Sequence, residues 1–193
     1  MNAKDIALCS IFVAIAVVLG YFTIPVGPMI FYFWEIPVVV ALLLYGFKMG
    51  FSVAAISVFT MTMLIPKSIG ILFPIWNLIA MTTTLLAITL TQWLITHKTS
   101  SNAQTRKHRF NFVIFFVIAT MGIRLAVMPF VNYFMYKYMM PIVVGTVYTE
   151  VYLVAVIPAL LIYDAILVLY TVPTGYIIAR RVNKDLKNGN TLV

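Results

Sequence analysis

Four charged residues of this chain lie inside or at the ends of strongly apolar stretches, where charge is rare. Glu35 and Glu150 begin such stretches, whereas Arg124 and Asp164 lie near the middle of theirs. A charge at the centre of a bilayer costs at least about 2.5–3.5 kcal/mol on insertion scales, so it normally faces a partner or a wet cavity. These side chains are therefore the first candidates for binding a polar ligand.

Arg124 and Asp164 are expected to meet, because they lie at comparable depth on neighbouring apolar segments that run in opposite directions. Two interpretations follow from such a contact. The pair could be purely structural and fix the packing of two helices. It could also form the floor of a ligand cavity, since intramembrane charges often mark substrate sites. The sequence favours neither interpretation over the other.

The sequence contains none of the common catalytic or metal-binding motifs. It has no His-Glu-x-x-His, no Walker loop and no Gly-x-Ser-x-Gly. Its one cysteine, Cys9, can form neither an intramolecular disulfide nor a zinc site alone. We therefore predict no catalytic residue, no metal and no bound cofactor, and an intramembrane enzyme built on Arg124 and Asp164 is the least favoured hypothesis. Energy for uphill transport would have to come from elsewhere.

The composition identifies the elements that must position these residues. Of 193 residues, 63% are hydrophobic and only 9% are charged, whereas soluble domains average about 25% charged residues. A soluble enzyme and a disordered chain are both excluded. Because one helical span needs roughly 20 apolar residues, the chain has room for about six or seven spans and no separate soluble domain.

Breaks in the apolar pattern divide the chain into six segments. We predict an all-α, polytopic membrane protein with a single six-helix domain over residues 1–193. The predicted spans are 6–24, 33–47, 50–65, 74–95, 110–131 and 151–179. A polar loop is expected at about 97–109, an aromatic loop at 132–148 and a polar tail at about 180–193. A tight turn at 46–50 would join the second and third spans.

The basic residues give this arrangement an orientation. Lysine and arginine collect on the cytoplasmic side of membrane proteins, so the net charge of +8 indicates topology more than nucleic-acid binding. With six spans and a cytoplasmic N-terminus, only Lys67 and Lys137 lie outside and Arg124 lies within a span. The cytoplasmic side then holds the ten others: Lys4, Lys48, Lys98, Arg106, Lys107, Arg109, Arg180, Arg181, Lys184 and Lys187. Both termini are therefore predicted to be cytoplasmic.

Aromatic residues are concentrated on the predicted outer side. An interfacial aromatic belt would account for some of them, but a belt should occur on both faces. The asymmetry favours an outward-facing pocket for a flat, partly apolar ligand. With the two mid-span charges included, the predicted ligand-binding residues are Phe33, Trp34, Glu35, Trp76, Asn77, Arg124, Asn132, Tyr133, Glu150 and Asp164.

The first predicted helix carries small residues on one face. Ala3, Ala7, Ser10 and Ala14 recur at spacings of three and four residues. Such a face lets another helix approach closely. Packing within the bundle and docking of a partner helix are both compatible with this pattern.

The N-terminal quarter carries a resemblance to a known family. It begins with Ala-x-x-x-Ala, continues with a Pro-x-Gly loop and the run Phe33-Trp-Glu-Ile-Pro37, and ends in the Gly-x-x-x-Gly pattern over 46–50. Together with six spans and chain length, these features resemble the riboflavin-type S components of energy-coupling factor (ECF) vitamin transporters. Asn132-Tyr133 and Pro158 also look like that subfamily. The chain differs at Ala159 and Ile162, where riboflavin-type members often carry Asn and Lys.

The resemblance implies a non-enzymatic, multi-pass subunit in the plasma membrane of a prokaryote. Such a subunit binds a vitamin, here riboflavin as the first expectation, and relies on a transmembrane coupling protein and two cytoplasmic ATPases. The coupling protein would dock on the face of Ala3, Ala7, Ser10 and Ala14. The alternatives are an S component for thiamine, folate, pantothenate or a similar vitamin, and a six-span membrane scaffold protein. Nucleic acid is not an expected partner.

Overall fold

The structure is a computed structural model that describes residues 2–26, 29–64, 72–99 and 109–189. Seven α-helices, one π-helical turn and one β-hairpin make up these segments. In chain order they are α1 (Ala3–Tyr21), β1 (Thr23–Val26), β2 (Met29–Tyr32), α2 (Glu35–Tyr45), α3 (Phe47–Leu64), α4 (Leu72–Thr99), α5 (Arg109–Phe134), the π-turn (Met135–Met139), α6 (Met140–Val144) and α7 (Glu150–Gly189).

Five helical segments within the described residues are long and apolar enough to cross a membrane. They are Ala3–Tyr21, Phe47–Leu64, Pro74–Ile95, Val113–Val144 and Glu150–Lys184. The second predicted span, over 33–47, is instead the short helix α2 of 11 residues. At about 1.5 Å per residue α2 is roughly 16 Å long, about half the hydrocarbon thickness. The second span was predicted to be short, and α2 is shorter still, so the bundle has five long helices and this short one.

Helix α2 lies at the centre of the bundle and contacts α1, α3, α4 and α7. Val38, Val39 and Ala41 are fully buried, so α2 is apolar all round, as expected for a central helix. Gly175 of α7 permits its close approach, because a Cβ at that position would lie only 2.7 Å from a methyl group of Val39. The position of α2 fixes its first residue, Glu35, inside the bundle.

The connection between α2 and α3 is tighter than predicted. Gly46 alone interrupts the helices, with φ of +88°, a left-handed conformation that favours glycine. Gly50, expected to end the turn, lies in the first turn of α3. The two helices therefore meet at a single residue.

The antiparallel hairpin formed by β1 and β2 was not predicted and adds eight strand residues to an otherwise helical fold. Thr23 pairs with Tyr32 and Val26 pairs with Met29. Helix α1 accordingly ends at Tyr21, although its apolar segment was predicted to continue to residue 24. The residues after it include the β-branched Thr23, Ile24 and Val26. Their hydropathy alone does not separate a helix from a strand, but β-branched side chains favour the strand.

Two segments predicted to be irregular are largely helical. The aromatic segment 132–148 continues α5 through the π-turn and α6, and ends at Gly145, which has φ of +74°. Residues 145–149, which lead into α7, have no helical structure. The expected tail at 180–193 continues α7 as far as Gly189. Of the expected loop 97–109, residues 97–99 and 109 are helical and the rest lie outside the described residues, as does Lys67.

The bundle has two chemically different ends. At the basic end, helices α1, α3 and α5 begin and helices α2, α4 and α7 end, since helices that follow one another in the chain pack side by side. Ring contacts join α1 to α2 through Phe12 and Tyr45, and α5 to α7 through Phe116 and Tyr176. Exposed cations at the basic end are Lys4, Lys48, Arg180, Arg181 and Lys184. At the opposite end, called the hairpin end, Lys137 is the one basic residue among those described. This separation matches the charge asymmetry predicted from the sequence.

Candidate ligand site at the hairpin end

Four helices each contribute one polar side chain to a buried ion network. Arg124 of α5 donates from Nε to Asp164 Oδ1 of α7 at 2.8 Å. Its Nη1 donates to Glu35 Oε2 at 3.2 Å, and its Nη2 faces Glu35 Oε1 at 3.4 Å. Nη1 also donates to Thr84 Oγ1 of α4 at 3.1 Å. The planar guanidinium therefore contacts the Glu35 carboxylate through Nη1 and Nη2 and the Asp164 carboxylate through Nε.

The ion network is almost completely shielded. Exposure is 1–4% for Thr84, Arg124, Glu35 and Asp164. Isolated charges in such surroundings would cost several kcal/mol each, so they persist only when paired and hydrogen-bonded. The hydroxyl of Thr84 is itself satisfied, because it donates to the carbonyl of Ala80 at 3.2 Å. With both carboxylates ionised, the network carries one net negative charge.

The predicted contact between Arg124 and Asp164 is confirmed, and Glu35 and Thr84 are additions to it. Glu35 was predicted to lie at the outer end of the second span, over 33–47. Since α2 is short, its first residue lies deep in the bundle. One sequence signal could have indicated this: a mid-span arginine presents more donors than one aspartate can accept.

The hairpin is fastened to α7 by two tyrosines that sequence analysis did not select. Tyr163 donates its hydroxyl hydrogen to the carbonyl of Ile30 at 2.8 Å, and Tyr170 donates to the carbonyl of Tyr32 at 2.6 Å. Their rings also contact the hairpin region, with centroid distances of 4.9 Å between Phe31 and Tyr163 and 5.6 Å between Phe33 and Tyr170. The seven-residue spacing of the tyrosines places both on one face of α7.

These hydrogen bonds satisfy backbone groups at an unpaired strand edge. Tyr163 lies 13 residues after Glu150, about 20 Å along α7, so the hairpin packs well within the length of that helix. An open strand edge is tolerated at membrane depth only where protein or water satisfies its polar groups. Because Tyr163 directly precedes Asp164, the hairpin contacts and the ion network share one short stretch of α7.

Two of the predicted residues, Trp76 and Asn132, belong to an aromatic cluster at the first turns of α4, the end of α5, the π-turn and the start of α7. Trp76 donates its indole hydrogen to Asn132 Oδ1 at 2.8 Å. Its ring lies 5.1 Å from that of Tyr136, which lies 5.3 Å from Tyr148. Tyr148 stacks on Tyr152 at 5.0 Å. Leu72, Met135 and Met140 form the buried apolar base of this cluster.

Lys137 connects the π-turn to the start of α7. Its ammonium group donates to the hydroxyl of Tyr133 at 2.6 Å and to Glu150 Oε1 at 2.8 Å. The Glu150 side chain is 77% exposed, so this ion pair is open to its surroundings. Tyr133 and Glu150, two of the predicted ligand-binding residues, thus both contact Lys137. Lys137 itself was not among the predicted residues.

The structure therefore places the ten predicted ligand-binding residues in separate groups rather than around one point. Three belong to the ion network, two form the Trp76–Asn132 pair and two contact Lys137. Trp34 is 1% exposed and is part of the apolar core, whereas Phe33 is half-buried beside Tyr170. Asn77 is half-buried on α4. Their roles in binding stay predictions.

The small-residue face of α1 is open. Ala3, Ala7, Ser10 and Ala14 are all exposed, and the Ser10 hydroxyl donates to the carbonyl of Ile6 at 3.0 Å. The neighbouring Ile6, Ile11 and Ile15 are 45–56% exposed. The described helices therefore do not bury this face of α1. Within the segments that the structure describes, no group of three or more potential metal ligands occurs.

Comparisons with known proteins give one structural likeness. No protein-family model and no curated protein matches this sequence. Among solved structures, the chain is similar to the S component of a bacterial ECF transporter, with a TM-score of 0.69 and 19% identity. The likeness covers 97% of this chain and 99% of that chain. At this identity it shows the fold, which is that of an S component.

Proposed function

We propose that this chain is the vitamin-binding subunit of an ECF-type importer and has no enzymatic activity of its own. The observation that carries the proposal is the likeness in fold to an S component over the full length of both chains. Five long apolar helices support a multi-pass membrane location, for which we propose the plasma membrane of a prokaryote. The basic end would face the cytoplasm and the hairpin end the exterior.

The chemistry of the hairpin end supports a flat ligand with several hydrogen-bonding groups, and riboflavin is our first candidate. Trp76, Tyr136, Tyr148 and Tyr152 provide ring faces and edges, on which an aromatic ligand can stack. Asn132 provides a buried amide beside them. A flavin would exchange ring–ring contacts of the cluster for ring–ligand contacts. Residues 146–148 lie between the last backbone hydrogen bond of α6, from Gly145 to Pro141, and the first of α7, from Leu153 to Thr149.

We propose that the ion network supports this site from below and does not itself contact the ligand. Nε, Nη1 and Nη2 of Arg124 all face acceptors within the protein. A ligand contacting Arg124 would have to displace one of them and leave a buried carboxylate poorly paired, which is costly. The network would instead hold α2, α4, α5 and α7 in the arrangement that positions the hairpin.

For energy coupling we propose that a transmembrane coupling protein docks on the exposed face of Ala3, Ala7, Ser10 and Ala14, and that two cytoplasmic ATPases drive the complex. The support is the exposure of all four small residues together with the apolar residues around them. Small residues allow close helix–helix contact within a bilayer. The exposed Ser10 does not oppose such contact, since its hydroxyl is already bonded within α1.

Purification of the full-length protein followed by ligand extraction and mass spectrometry tests the proposal. We expect a bound vitamin, with a yellow colour and flavin absorbance if it is riboflavin. Stripped protein should then quench riboflavin fluorescence on titration. Asn132→Ala should weaken this binding about tenfold or more, because a buried hydrogen bond to the ligand and the support of Trp76 are both lost.

Phe130→Ala is the matched control, since Phe130 lies two residues away on the same helix and is 77% exposed. It should bind riboflavin as the unmodified protein does. A different vitamin in the extract, such as thiamine, folate or pantothenate, would overturn the flavin assignment and leave the subunit role standing. Protein that carries no ligand and binds none of these four vitamins would overturn the subunit role and favour a membrane scaffold.

A further inference from the structure

A cleft of about 270 Å³ opens at the basic end of the bundle, away from the hairpin-end site. It lies where α2 and α7 end, beside the last turns of α4 and the first turns of α5. Leu43, Leu44 and Phe116 form an apolar floor, and Tyr176, Arg180 and Asn183 of α7 contribute polar groups. The cleft is therefore amphipathic, with an apolar floor from α2 and α5 and most of its polar groups on α7.

Most of the polar lining comes from one face of α7, and Gln92 of α4 is a further polar residue in the lining. Positions 176, 180 and 183 follow the spacing of four and three residues that places side chains on a single helix face. Within the described segments, no hydrogen bond or ion pair engages the side chain of Arg180 or of Asn183. The guanidinium and the amide are thus both available to a ligand in the cleft.

The positive charge around the cleft favours an anionic ligand. Arg181 directly follows Arg180 and Lys184 lies one turn further along α7, and all three are exposed. A guanidinium matches a phosphate group with two parallel hydrogen bonds. Basic pockets between helices at a membrane surface are suited to anionic head groups, and the apolar floor beside this one is suited to an acyl chain.

From this geometry we propose that the cleft binds one anionic phospholipid. Its phosphate is held by Arg180 and Asn183, and the first part of an acyl chain lies over Leu43, Leu44 and Phe116. A free phosphate ion would use the guanidinium and leave the apolar floor empty, so the lipid is the better match. The proposal depends on the bundle lying in a membrane and not on which substrate the hairpin end binds.

Native mass spectrometry of the delipidated, full-length protein with added phosphatidylglycerol or phosphatidylcholine tests the proposal. We expect one phosphatidylglycerol to bind more tightly than any further lipid, and more tightly than phosphatidylcholine. Arg180→Ala should weaken this first binding about tenfold or more, since a charge-assisted hydrogen bond is lost. Equal binding of the two lipids would contradict an anion site.

Two further variants separate the cleft from general surface charge. Arg181→Ala removes the same charge one residue away, outside the cleft lining, and should weaken binding much less than Arg180→Ala. Leu44→Trp fills the apolar floor without changing charge and should reduce binding while the melting temperature stays near that of the unmodified protein. Equal losses for Arg180→Ala and Arg181→Ala would overturn the proposal, as would displacement of the lipid by millimolar inorganic phosphate alone.

Discussion

Two ion pairs of this molecule have the same length and opposite surroundings. The nitrogen–oxygen distance is 2.8 Å both between Arg124 and Asp164 and between Lys137 and Glu150. Side-chain exposure is 2% and 5% in the first pair but 32% and 77% in the second. The first pair is part of a network from four helices, whereas the second joins the π-turn to the start of α7.

The comparison shows that distance alone says little about what an ion pair does. An exposed pair gains little over its hydrated partners and is screened by salt. A buried pair pays heavily for desolvation, so its net contribution can be small, yet removal of one partner leaves an uncompensated charge. The ion network is therefore expected to be sensitive to single substitutions, and the Lys137–Glu150 pair to be tolerant of them.

The largest effect is expected for Arg124→Met. Two buried carboxylates would lose their common cation, which should lower the free energy of unfolding by about 3–5 kcal/mol. Denaturant titration of the detergent-solubilised protein, followed by tryptophan fluorescence, measures this change. Arg124→Lys should be intermediate, because it keeps the charge but lacks the planar fork. If Arg124→Met lowers the free energy of unfolding no more than the exposed control Phe130→Ala does, the contrast between the two ion pairs is contradicted.

A smaller effect is expected for Tyr170→Phe, which removes the donor to the carbonyl of Tyr32. The lost hydrogen bond should cost about 1 kcal/mol and loosen the hairpin without disturbing the network. Hydrogen–deuterium exchange of peptides covering 23–32 should speed up, while exchange in α2 stays unchanged. Tyr21→Phe is the control, because Tyr21 is exposed at the end of α1. Unchanged exchange in the hairpin would show that the tyrosine does not fasten it.

The smallest effect is expected for Lys137→Met, the exposed counterpart of Arg124→Met. The melting temperature at physiological salt should not change measurably, because Glu150 remains exposed after its partner is removed. Any shift should be confined to low ionic strength, where screening is weak. Thermal melts at two salt concentrations check this. A loss comparable to that of Arg124→Met would mean that exposure does not separate the two pairs.

The sequence was sufficient to predict the long helices and the contact between Arg124 and Asp164. Both predictions rest on properties of single segments, namely apolar length and the depth of a charge along it. The depth of Glu35 was harder to predict, because it depends on α2 lying at the centre of the bundle, with other helices packed around it. The hairpin was missed because Ile24 and Val26 are apolar in a helix and in a strand alike.

Contacts between distant segments could not be predicted in detail. Tyr163 and Tyr170 donate to carbonyls more than 130 residues earlier, a pairing that depends on how α7 packs against the hairpin. The helical nature of 132–144 was hidden by its aromatic residues and by Pro141, although a proline is tolerated in the first turn of α6. Local composition predicts polarity and burial. The tyrosine hydrogen bonds and the helical structure of 132–144 depend instead on how neighbouring segments pack against one another.

The ion network also imposes an order on the making of the protein. Glu35 leaves the ribosome 89 residues before Arg124, and Asp164 follows 40 residues after it. Glu35 therefore has no cationic partner while α3 and α4 are synthesised. Arg124 can then pair with Glu35, but its second carboxylate, Asp164, is absent until α7 is made. The four-helix network therefore cannot close before α7, the last long helix that the structure describes, has been made.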